Sequence, residues 1–310
     1  MQPATNSDKT ELWPRLPGIV GGLGPFAHIE LERRLLEAAA QRWKSLGQPL
    51  TDQRYLPWVV ASIPQTPDRT AALQNREPSP LPGLLAALGV LERCNCDFAL
   101  IACNTAHAWI REIREASRLP ILDIVQATTQ EIRTVCGPHA TIGLLATDGT
   151  LASGVYATRA AAVDRGPCFL SPLDVKGGQE LQRIVMHCIY GRVDSEFDTL
   201  HGGVKSGVHL RDVSVREEIE EQLCRVLERL VGHGVAAVVL GCTELPLILS
   251  RDVIRRRLGR DISLVDPMDV AARTAVRISA GEEPLPENKI QRTAQSSRSV
   301  KLKARKSGPT

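Results

Sequence analysis

The chain has 310 residues, of which 43% are hydrophobic, 24% charged and only 4% aromatic, so its core must consist mainly of aliphatic side chains. This composition is typical of α/β proteins with buried parallel strands. No apolar run is long enough for a membrane-spanning helix, and residues 1–17 lack the basic-then-apolar order of a secretory signal. Eight cysteines without the spacing of a small disulfide scaffold indicate reduced thiols and a cytoplasmic protein.

Most of the positive charge lies at the C-terminal end of the chain. Seven basic residues follow Glu287, and no acidic residue does. Subtracting these seven from the formal net charge of +3 leaves −4 for residues 1–288, which predicts a mildly acidic folded part. Residues 283–310 are predicted to form a disordered basic tail, and residues 1–16 a disordered N-terminal segment. Nucleic acid is an unlikely partner, apart from a possible weak contact with the tail.

The first half of the chain alternates between strand and helix patterns. A strand at Ile19–Val20 leads into a glycine-rich turn, and a helix follows from Pro25, whose missing N–H costs nothing in the first helical turn. Further strands are predicted at 55–64, 97–103 and 120–125, and further helices at 81–94, 106–118 and 126–132. Such alternation predicts a parallel sheet with right-handed crossovers.

The second half repeats the same series of elements. A strand, a turn and a helix are predicted over 140–162, a short strand over 168–174, and a long amphipathic helix over 214–234. A strand at 235–242 follows, and the strand, turn and helix at 262–279 resemble residues 121–132. We therefore predict two similar α/β lobes, each a parallel sheet flanked by helices, related by a pseudo-two-fold axis. Lobe 1 comprises residues 17–127 and 263–282, and lobe 2 comprises residues 128–262.

One cysteine ends a central predicted strand in each lobe. Cys103 follows the apolar run of the third strand, and Cys242 ends the strand at 235–242. Asp123 lies 20 residues after Cys103 and Asp266 lies 24 residues after Cys242, so the two units correspond in spacing. Ligands of open parallel sheets bind beyond the carboxyl ends of the strands. We therefore expect one cleft between the lobes, with a thiol on each wall.

Five segments carry a resemblance to a known family. They are GGLGPFA (21–27), SIPQTPDRTAAL (62–73), ACNTAHAW (102–109), GVKSG (203–207) and GCTELP (241–246). In this order they resemble the aspartate/glutamate racemase family of cofactor-independent, two-cysteine amino-acid racemases. The resemblance extends from about Gly18 to Ser279.

The resemblance implies a fold, an activity and roles for several residues. It implies two lobes with the active site between them, often in a homodimer, with Cys103 and Cys242 as the acid/base pair and no cofactor. Arg69 and Lys205 resemble the family's anchors for substrate carboxylates. The sequence departs from the family where His28 stands in place of threonine, and the stretch 192–202 looks longer than in compact members.

Racemisation requires one base and one acid on opposite faces of the α-carbon. Thiols suit this task because a thiolate is accessible near neutral pH, and a helix N-terminus after each cysteine is expected to stabilise it. Without pyridoxal phosphate, fixed positive charge must stabilise the carbanion, for which Arg69 is the candidate. The remaining predicted substrate-binding residues are Gly24 in the turn, Asn104, Thr105, Lys205, Thr243 and Glu244.

Other interpretations of these residues are less specific. The remaining six cysteines are predicted to be small buried hydrophobes. Cys94 and Cys96 with His107 lack the spacing of a zinc site, so no metal is predicted. The GGLGPFA turn fits a dinucleotide fingerprint only formally, because Pro25 removes a backbone donor. The alternative functions are another isomerase of the superfamily, such as a maleate isomerase or hydantoin racemase, and a non-catalytic amino-acid-binding module.

Overall fold

The structure, a computed structural model, describes residues 12–194 and 199–287. The larger parts of the predicted disordered segments, residues 1–11 and 288–310, lie outside this range. Residues 12–16 were predicted to be disordered, but they pack against the fold. Trp13 is buried, lies edge-on against Trp43 with ring centroids 6.1 Å apart, and donates to the carbonyl of Arg54 at 3.1 Å. A buried indole with a paired N–H explains why this segment is held in place.

The first sheet has four parallel strands in the order β2-β1-β3-β4. These strands are β1 (Pro17–Gly21), β2 (Val59–Ser62), β3 (Phe98–Ile101) and β4 (Ile121–Leu122). The connecting helices are α1 (Pro25–Ser45), α2 (Arg69–Leu73), α3 (Leu81–Arg93), α4 (Ile110–Ala116) and α5 (Ile124–Cys136). Every residue of β1 and β3 is buried, as expected for parallel strands covered on both faces.

The second sheet also has four parallel strands, in the order β10-β9-β5-β6. They are β5 (Thr141–Leu145), β6 (Cys168–Leu170), β9 (Ala237–Leu240) and β10 (Leu264–Val265). The helices in this half of the chain are α6 (Asp148–Ser153), α7 (Val155–Ala161), α8 (Gly178–Tyr190), α9 (Val213–Val231), α10 (Arg251–Leu258) and α11 (Pro267–Ser279). Between α8 and α9, strands β7 (Gly191–Asp194) and β8 (Thr199–Gly202) pair antiparallel within the stretch that looks longer than in compact relatives.

The two sheets are built on one plan. Read from edge to edge, strands 2-1-3-4 of the first sheet correspond to strands 6-5-9-10 of the second. The following helices correspond too, because Asp123 caps the N-terminus of α5 and Asp266 caps that of α11 through their side chains. The predicted pair of similar α/β lobes is confirmed, and each of the two cysteines lies two residues beyond a central strand.

The predicted lobe boundaries need correction at residue 263. Residues Leu264–Val265 were assigned to lobe 1, but they pair with β9 in the second sheet. The chain passes to lobe 1 only afterwards, where α11 packs against α1 and α5. The predicted boundary at 127/128 falls within α5, which spans Ile124–Cys136. One apolar core that includes Ile19 and Ile142 continues from one lobe into the other. Among the described residues, no helix is long and apolar enough to cross a membrane.

Candidate active site

The two predicted thiols line the same cavity. Cys103 lies two residues after β3 and Cys242 two residues after β9, and both are buried. The lining of this cavity includes eight of the nine predicted catalytic and substrate-binding residues, all except Gly24, together with three side chains that the sequence did not indicate. The lining residues are Leu23, Arg69, Cys103, Asn104, Thr105, Thr147, Tyr190, Lys205, Cys242, Thr243 and Glu244.

A cation stands beside Cys103. Arg69, at the start of α2, is 5% exposed and lines the cavity together with Cys103. Burial alone would lower the pKa of the Arg69 guanidinium, but the charges of Cys103 and Asp68 raise it above its ordinary value. The guanidinium therefore stays charged at neutral pH and puts a fixed positive charge on this side of the cavity.

Backbone carbonyl groups fix the position of this guanidinium. Nη2 of Arg69 donates to the carbonyl of Leu23 at 2.6 Å, and Nη1 donates to the carbonyls of Pro67 at 2.9 Å and Thr66 at 3.3 Å. Nε of Arg69 is buried and has no hydrogen-bond partner. Through these contacts Arg69 links the turn after β1 to the turn after β2, and its Nε–H remains without an acceptor.

A carboxylate stands beside Cys242. The Sγ of Cys242 donates to Oε2 of Glu244 at 3.0 Å, and the hydroxyl of Thr243 donates to the same oxygen at 3.0 Å. Complete burial and the charge of Glu244 raise the pKa of the Cys242 thiol well above its ordinary value, and Lys205 only partly opposes this. Cys242 is therefore a protonated thiol near neutral pH.

The turn after β1 reaches across to this carboxylate. Gly24 adopts a φ of 131°, in the region that favours glycine, and is the N-cap of α1. A Cβ atom at Gly24 would lie 2.0 Å from Oε1 of Glu244. Gly24 itself does not line the cavity, but its missing side chain leaves the space that Glu244 occupies. Gly24, predicted to bind substrate, instead makes a close contact between the lobes.

Lys205 contributes a second positive charge to the wall. Its Nζ atom lies 3.2 Å from Oδ2 of Asp68 and 4.3 Å from the centre of the Tyr190 ring. Burial alone would lower the pKa of the Lys205 ammonium, but Glu244, Tyr190 and Asp68 outweigh burial and raise it. The ammonium group is therefore charged at neutral pH, and it lies at the same cavity as Arg69.

Three buried polar atoms of the cavity residues have no protein partner. They are the donors Nδ2 of Asn104 and Nε of Arg69 and the acceptor Oε1 of Glu244. The carbonyl oxygen of the Asn104 side chain accepts from the hydroxyl of Tyr156 at 2.7 Å, which orients the amide with its NH₂ group free. Buried polar groups are rarely left unpaired. A ligand with a carboxylate and an ammonium group matches these two donors and one acceptor.

The expected helix N-termini after the cysteines are absent. Thr105–Trp109 and Leu245–Leu247 are short 3₁₀ segments, and the first α-helical turn after Cys103 begins only at Ile110. Pro246 in the second segment has no backbone N–H to donate. A few peptide units in 3₁₀ geometry add up to only a small dipole. The predicted stabilisation of a thiolate by a helix N-terminus is therefore not provided by these segments.

The two histidines near the motifs support the backbone. Nδ1 of His107 lies 2.9 Å from the carbonyl oxygen of Cys103, and burial lowers the pKa of this imidazole. Nδ1 of His28 accepts from the N–H of Gly22 at 3.3 Å, which holds the turn after β1. Neither imidazole lines the cavity. They fix the positions of the residues that do.

The sequence did not indicate Leu23, Thr147 and Tyr190. Leu23 and Thr147 occupy corresponding places after β1 and β5, so the internal repeat was a signal that could have found Thr147. The hydroxyl of Thr105 lies 2.7 Å from that of Thr150 and 3.2 Å from that of Thr147, which links the lobes behind the cavity. Tyr190 carries no local signal, because it approaches the cavity only through the packing of α8.

Comparison with known proteins decides the family. The sequence model of the family described as Asp/Glu/Hydantoin racemase matches residues 20–183 and 201–275, more than half of the chain. The chain belongs to this family.

Glutamate racemase from Desulforudis audaxviator is 28% identical over 189 residues, which cover 61% of this chain and 58% of the relative. Glutamate racemase from Corynebacterium glutamicum is 28% identical over 192 residues, with the same coverage of 61% and 58%. The match thus spans less than two thirds of these curated relatives.

Solved structures agree with the family at the level of the fold. Aspartate racemase from Picrophilus torridus is 26% identical and superposes with a TM-score of 0.63, covering 86% of this chain and 94% of that chain. A putative Asp/Glu racemase from Yersinia pestis is 18% identical and superposes with a TM-score of 0.58, covering 86% and 99%. The two-lobe arrangement of this family member is therefore shared with both structures.

Proposed function

We propose that this protein is a cofactor-independent amino-acid racemase that interconverts the L- and D-enantiomers of aspartate, glutamate or a related amino acid. Cys103 and Cys242 exchange the α-proton on opposite faces of the substrate. The observation that carries the proposal is the presence of both sulfur atoms on the wall of one small cavity, one next to a cation and the other next to an anion.

The reaction needs one deprotonated and one protonated group at the start. Arg69 favours the thiolate of Cys103, and Glu244 favours the thiol of Cys242. The thiolate removes the α-proton from one face, and the thiol delivers its proton to the other face. After turnover Cys103 is the thiol and Cys242 the thiolate, which is the state required by the opposite enantiomer.

Charge that develops on the substrate carboxylate must be stabilised by fixed donors. Arg69 and Asn104 line the cavity, and we propose that the unused Nε of Arg69 and Nδ2 of Asn104 serve this purpose. The free Oε1 of Glu244 is the acceptor proposed for the α-ammonium group. Thr105 and Thr243 are proposed to complete the substrate-binding set, and Lys205 to bind a carboxylate in the substrate side chain.

The test is the exchange of the α-hydrogen in deuterated buffer. We expect both enantiomers of the preferred amino acid to take up solvent deuterium and to racemise. Replacing both cysteines, as in Cys103→Ala with Cys242→Ala, should reduce racemisation roughly 100- to 10,000-fold. Cys224→Ala is the matched control, because Cys224 is a buried cysteine away from the cavity, and this variant should keep the wild-type rate.

Other outcomes of the same assay would replace the proposal. Turnover of maleate or of a hydantoin without amino-acid exchange would identify another isomerase of the superfamily. Tight binding of an amino acid without exchange would identify a non-catalytic binding module. Full racemisation by the double cysteine variant would exclude the two-thiol mechanism.

Three further features belong to the proposal. The racemase is proposed to be a cytoplasmic homodimer that uses no cofactor. Sedimentation equilibrium measures the oligomeric state. Dialysis against a chelator, followed by the exchange assay without added pyridoxal phosphate, should leave the rate unchanged if the thiols act alone.

A further inference from the structure

A second cavity lies in the second half of the chain, beside α6, α7, β6 and α8. The described residues that line it are all different from those that line the catalytic cavity. Its volume of about 750 Å³ is within the range of sites that bind small molecules. We call this cavity the α6–α8 groove. The lining residues that matter below are Asp148, Thr150, Tyr156, Phe169, Leu173, Asp174, Gln182 and Arg183.

Part of the groove is aromatic and apolar. The rings of Tyr156 and Phe169 lie edge-on, with their centroids 5.1 Å apart. Tyr156 is buried and Phe169 is half-buried, whereas Leu173 is 51% exposed. Apolar side chains that are left open to solvent in a concave site favour a ligand with an apolar part, and a ring pair favours a flat one. The groove therefore fits an aromatic ring.

The groove also contains an unpaired hydrogen-bond acceptor. Nε2 of Gln182 donates to the carbonyl of Ala146 at 3.0 Å and to Oδ1 of Asp148 at 2.8 Å. These two acceptors fix the orientation of the amide, and its buried Oε1 has no hydrogen-bond partner. Gln182 is only 4% exposed, and buried polar groups are rarely left unpaired. A ligand with N–H donors would satisfy Oε1 of Gln182.

The charges that line the groove favour a cation. Asp148 and Asp174 both line it. Arg183 lines it as well, but this guanidinium donates to the carboxylate of Glu180 at 2.8 Å and 2.7 Å. The positive charge of Arg183 is therefore balanced by Glu180, and the two aspartates leave the groove negative. Hydrogen bonds from a charged N–H donor to a carboxylate are stronger than those between neutral groups.

Two side chains connect the groove to the catalytic cavity. The hydroxyl of Tyr156 donates to Oδ1 of Asn104 at 2.7 Å, and the hydroxyl of Thr150 lies 2.7 Å from that of Thr105. Asn104 and Thr105 line the catalytic cavity. A ligand that packs against the Tyr156 ring would therefore restrict the side chain that orients the Asn104 amide.

We infer that the α6–α8 groove binds a small aromatic cation with N–H donors, and that this ligand accelerates racemisation by holding Tyr156 against Asn104. The ring of the ligand packs against Tyr156 and Phe169, and its N–H groups donate to Oε1 of Gln182 and to Asp148. Donors that are fixed before the reaction stabilise developing charge best, so a firmly held Asn104 amide increases the rate. The binding site is independent of the proposed function, whereas the effect on the rate rests on it.

The first test measures binding to the full chain by isothermal titration calorimetry. The probes are benzamidine, a planar aromatic cation with N–H donors, and acetophenone, a neutral compound of similar shape without them. Benzamidine should bind with a Kd of about 1 mM or lower and about tenfold more tightly than acetophenone. Asp148→Asn removes the charge but keeps the acceptor for Gln182. It should weaken benzamidine binding about tenfold and acetophenone binding less than about twofold.

The matched control is Asp164→Asn, because Asp164 is exposed and does not line the groove. It should leave the affinities for both probes unchanged. The inference is overturned if benzamidine does not bind. It is also overturned if Asp148→Asn binds benzamidine as tightly as Asp164→Asn does, because the binding would then take place elsewhere.

The second test measures racemisation with and without saturating benzamidine. In the wild type, benzamidine should raise kcat/KM about fivefold. Tyr156→Phe keeps the ring that contacts the ligand and removes the hydroxyl that reaches Asn104. This variant should bind benzamidine within about twofold of the wild type and show no rise in kcat/KM. An unchanged or lower kcat/KM in the wild type, or an equal rise in Tyr156→Phe, overturns the coupling through Tyr156.

The two proposals fail in different ways. If no amino acid is racemised but benzamidine binding depends on Asp148, the racemase proposal fails and the groove stands as a binding site. If amino acids are racemised and Asp148→Asn does not affect benzamidine binding, the racemase proposal stands and the inference about the groove fails.

Discussion

The walls around Cys103 and Cys242 differ, although the two lobes share one strand order. Cys103 lies beside the Arg69 cation, whereas Cys242 donates to Glu244, an anion. Both cysteines stand two residues beyond corresponding strands, β3 and β9. The repeated fold therefore places the two cysteines at corresponding positions, and the charged side chains beside them have opposite signs. A racemase needs this difference only at rest, because each turnover exchanges the two states.

The single cysteine variants are expected to show the largest effects, because each removes the thiol from one wall of the cavity. In Cys242→Ala the thiolate of Cys103 still removes and returns a proton on its own face, so one enantiomer exchanges its α-hydrogen without racemising. In Cys103→Ala only Cys242 remains, and the raised pKa of its thiol makes exchange of the other enantiomer slow until the pH is alkaline. Racemisation should fall roughly 100- to 10,000-fold in both.

Proton and deuterium NMR of both enantiomers measures these rates. The comparison would be contradicted if the two variants exchanged both enantiomers equally at pH 7. It would also be contradicted if Cys103→Ala exchanged faster than Cys242→Ala.

Removing the cation beside Cys103 is expected to cause the next largest loss of racemisation rate. Arg69→Leu should lower kcat/KM roughly 100- to 1000-fold, because the thiolate and the carboxylate of the substrate lose a fixed positive partner. Arg69→Lys keeps the charge but cannot reproduce the contacts to Leu23 and Pro67, so it should recover only part of the rate. Arg76→Leu, just beyond α2, is the control and should behave as wild type. Steady-state racemisation followed by circular dichroism decides among these outcomes.

Neutralising the anion beside Cys242 should act on one limb of the pH profile. In Glu244→Gln the pKa of the Cys242 thiol should fall, because a negative charge that raises it is removed. The alkaline limb of the bell-shaped profile of kcat/KM should shift to lower pH, and the acidic limb should stay in place. Both enantiomers must show the same profile, because the equilibrium constant of racemisation is one. Ultraviolet titration of the thiolate provides an independent measurement, and an unchanged alkaline limb would contradict the assignment of Glu244.

Local sequence patterns predicted the cysteines and their strands well. Apolar runs that end in Cys103 and Cys242 are local features, and the order of strands follows from alternating periodicities. The pairing of Tyr190 with Asp68 was not predictable, because these residues are 122 positions apart in sequence and meet only through tertiary packing. The 3₁₀ segments after both cysteines were also missed, since tertiary contacts decide between 3₁₀ and α geometry in so few residues.

A smaller difference between the lobes concerns the capping aspartates. Burial would raise the pKa of Asp123, but His107, Arg159 and Arg114 outweigh it and lower this pKa. At the corresponding position, burial raises the pKa of Asp266 to about 6, and Arg34 opposes this only in part. The ion pair at Asp123 includes Arg159 at 2.9 Å, whereas Arg34 lies 3.2 Å from Asp266.

Opposite shifts give opposite dependences of stability on pH. The contribution of Asp123 is present above its unfolded pKa, about 3.9, and is lost as pH falls through its lowered folded value. The contribution of Asp266 is fully present below about pH 3.9 and is lost as pH rises through about 6.

Asp266→Asn should therefore gain stability relative to wild type between pH 5 and pH 8, by up to about 3 kcal/mol from the size of the pKa shift of Asp266. Asp123→Asn should be destabilised at pH 8. Urea unfolding at both pH values measures the change in the free energy of unfolding. A loss of stability in Asp266→Asn that grows toward pH 8 would contradict this prediction. It would show that Arg34 compensates the buried carboxylate of Asp266 as fully as Arg159 does that of Asp123.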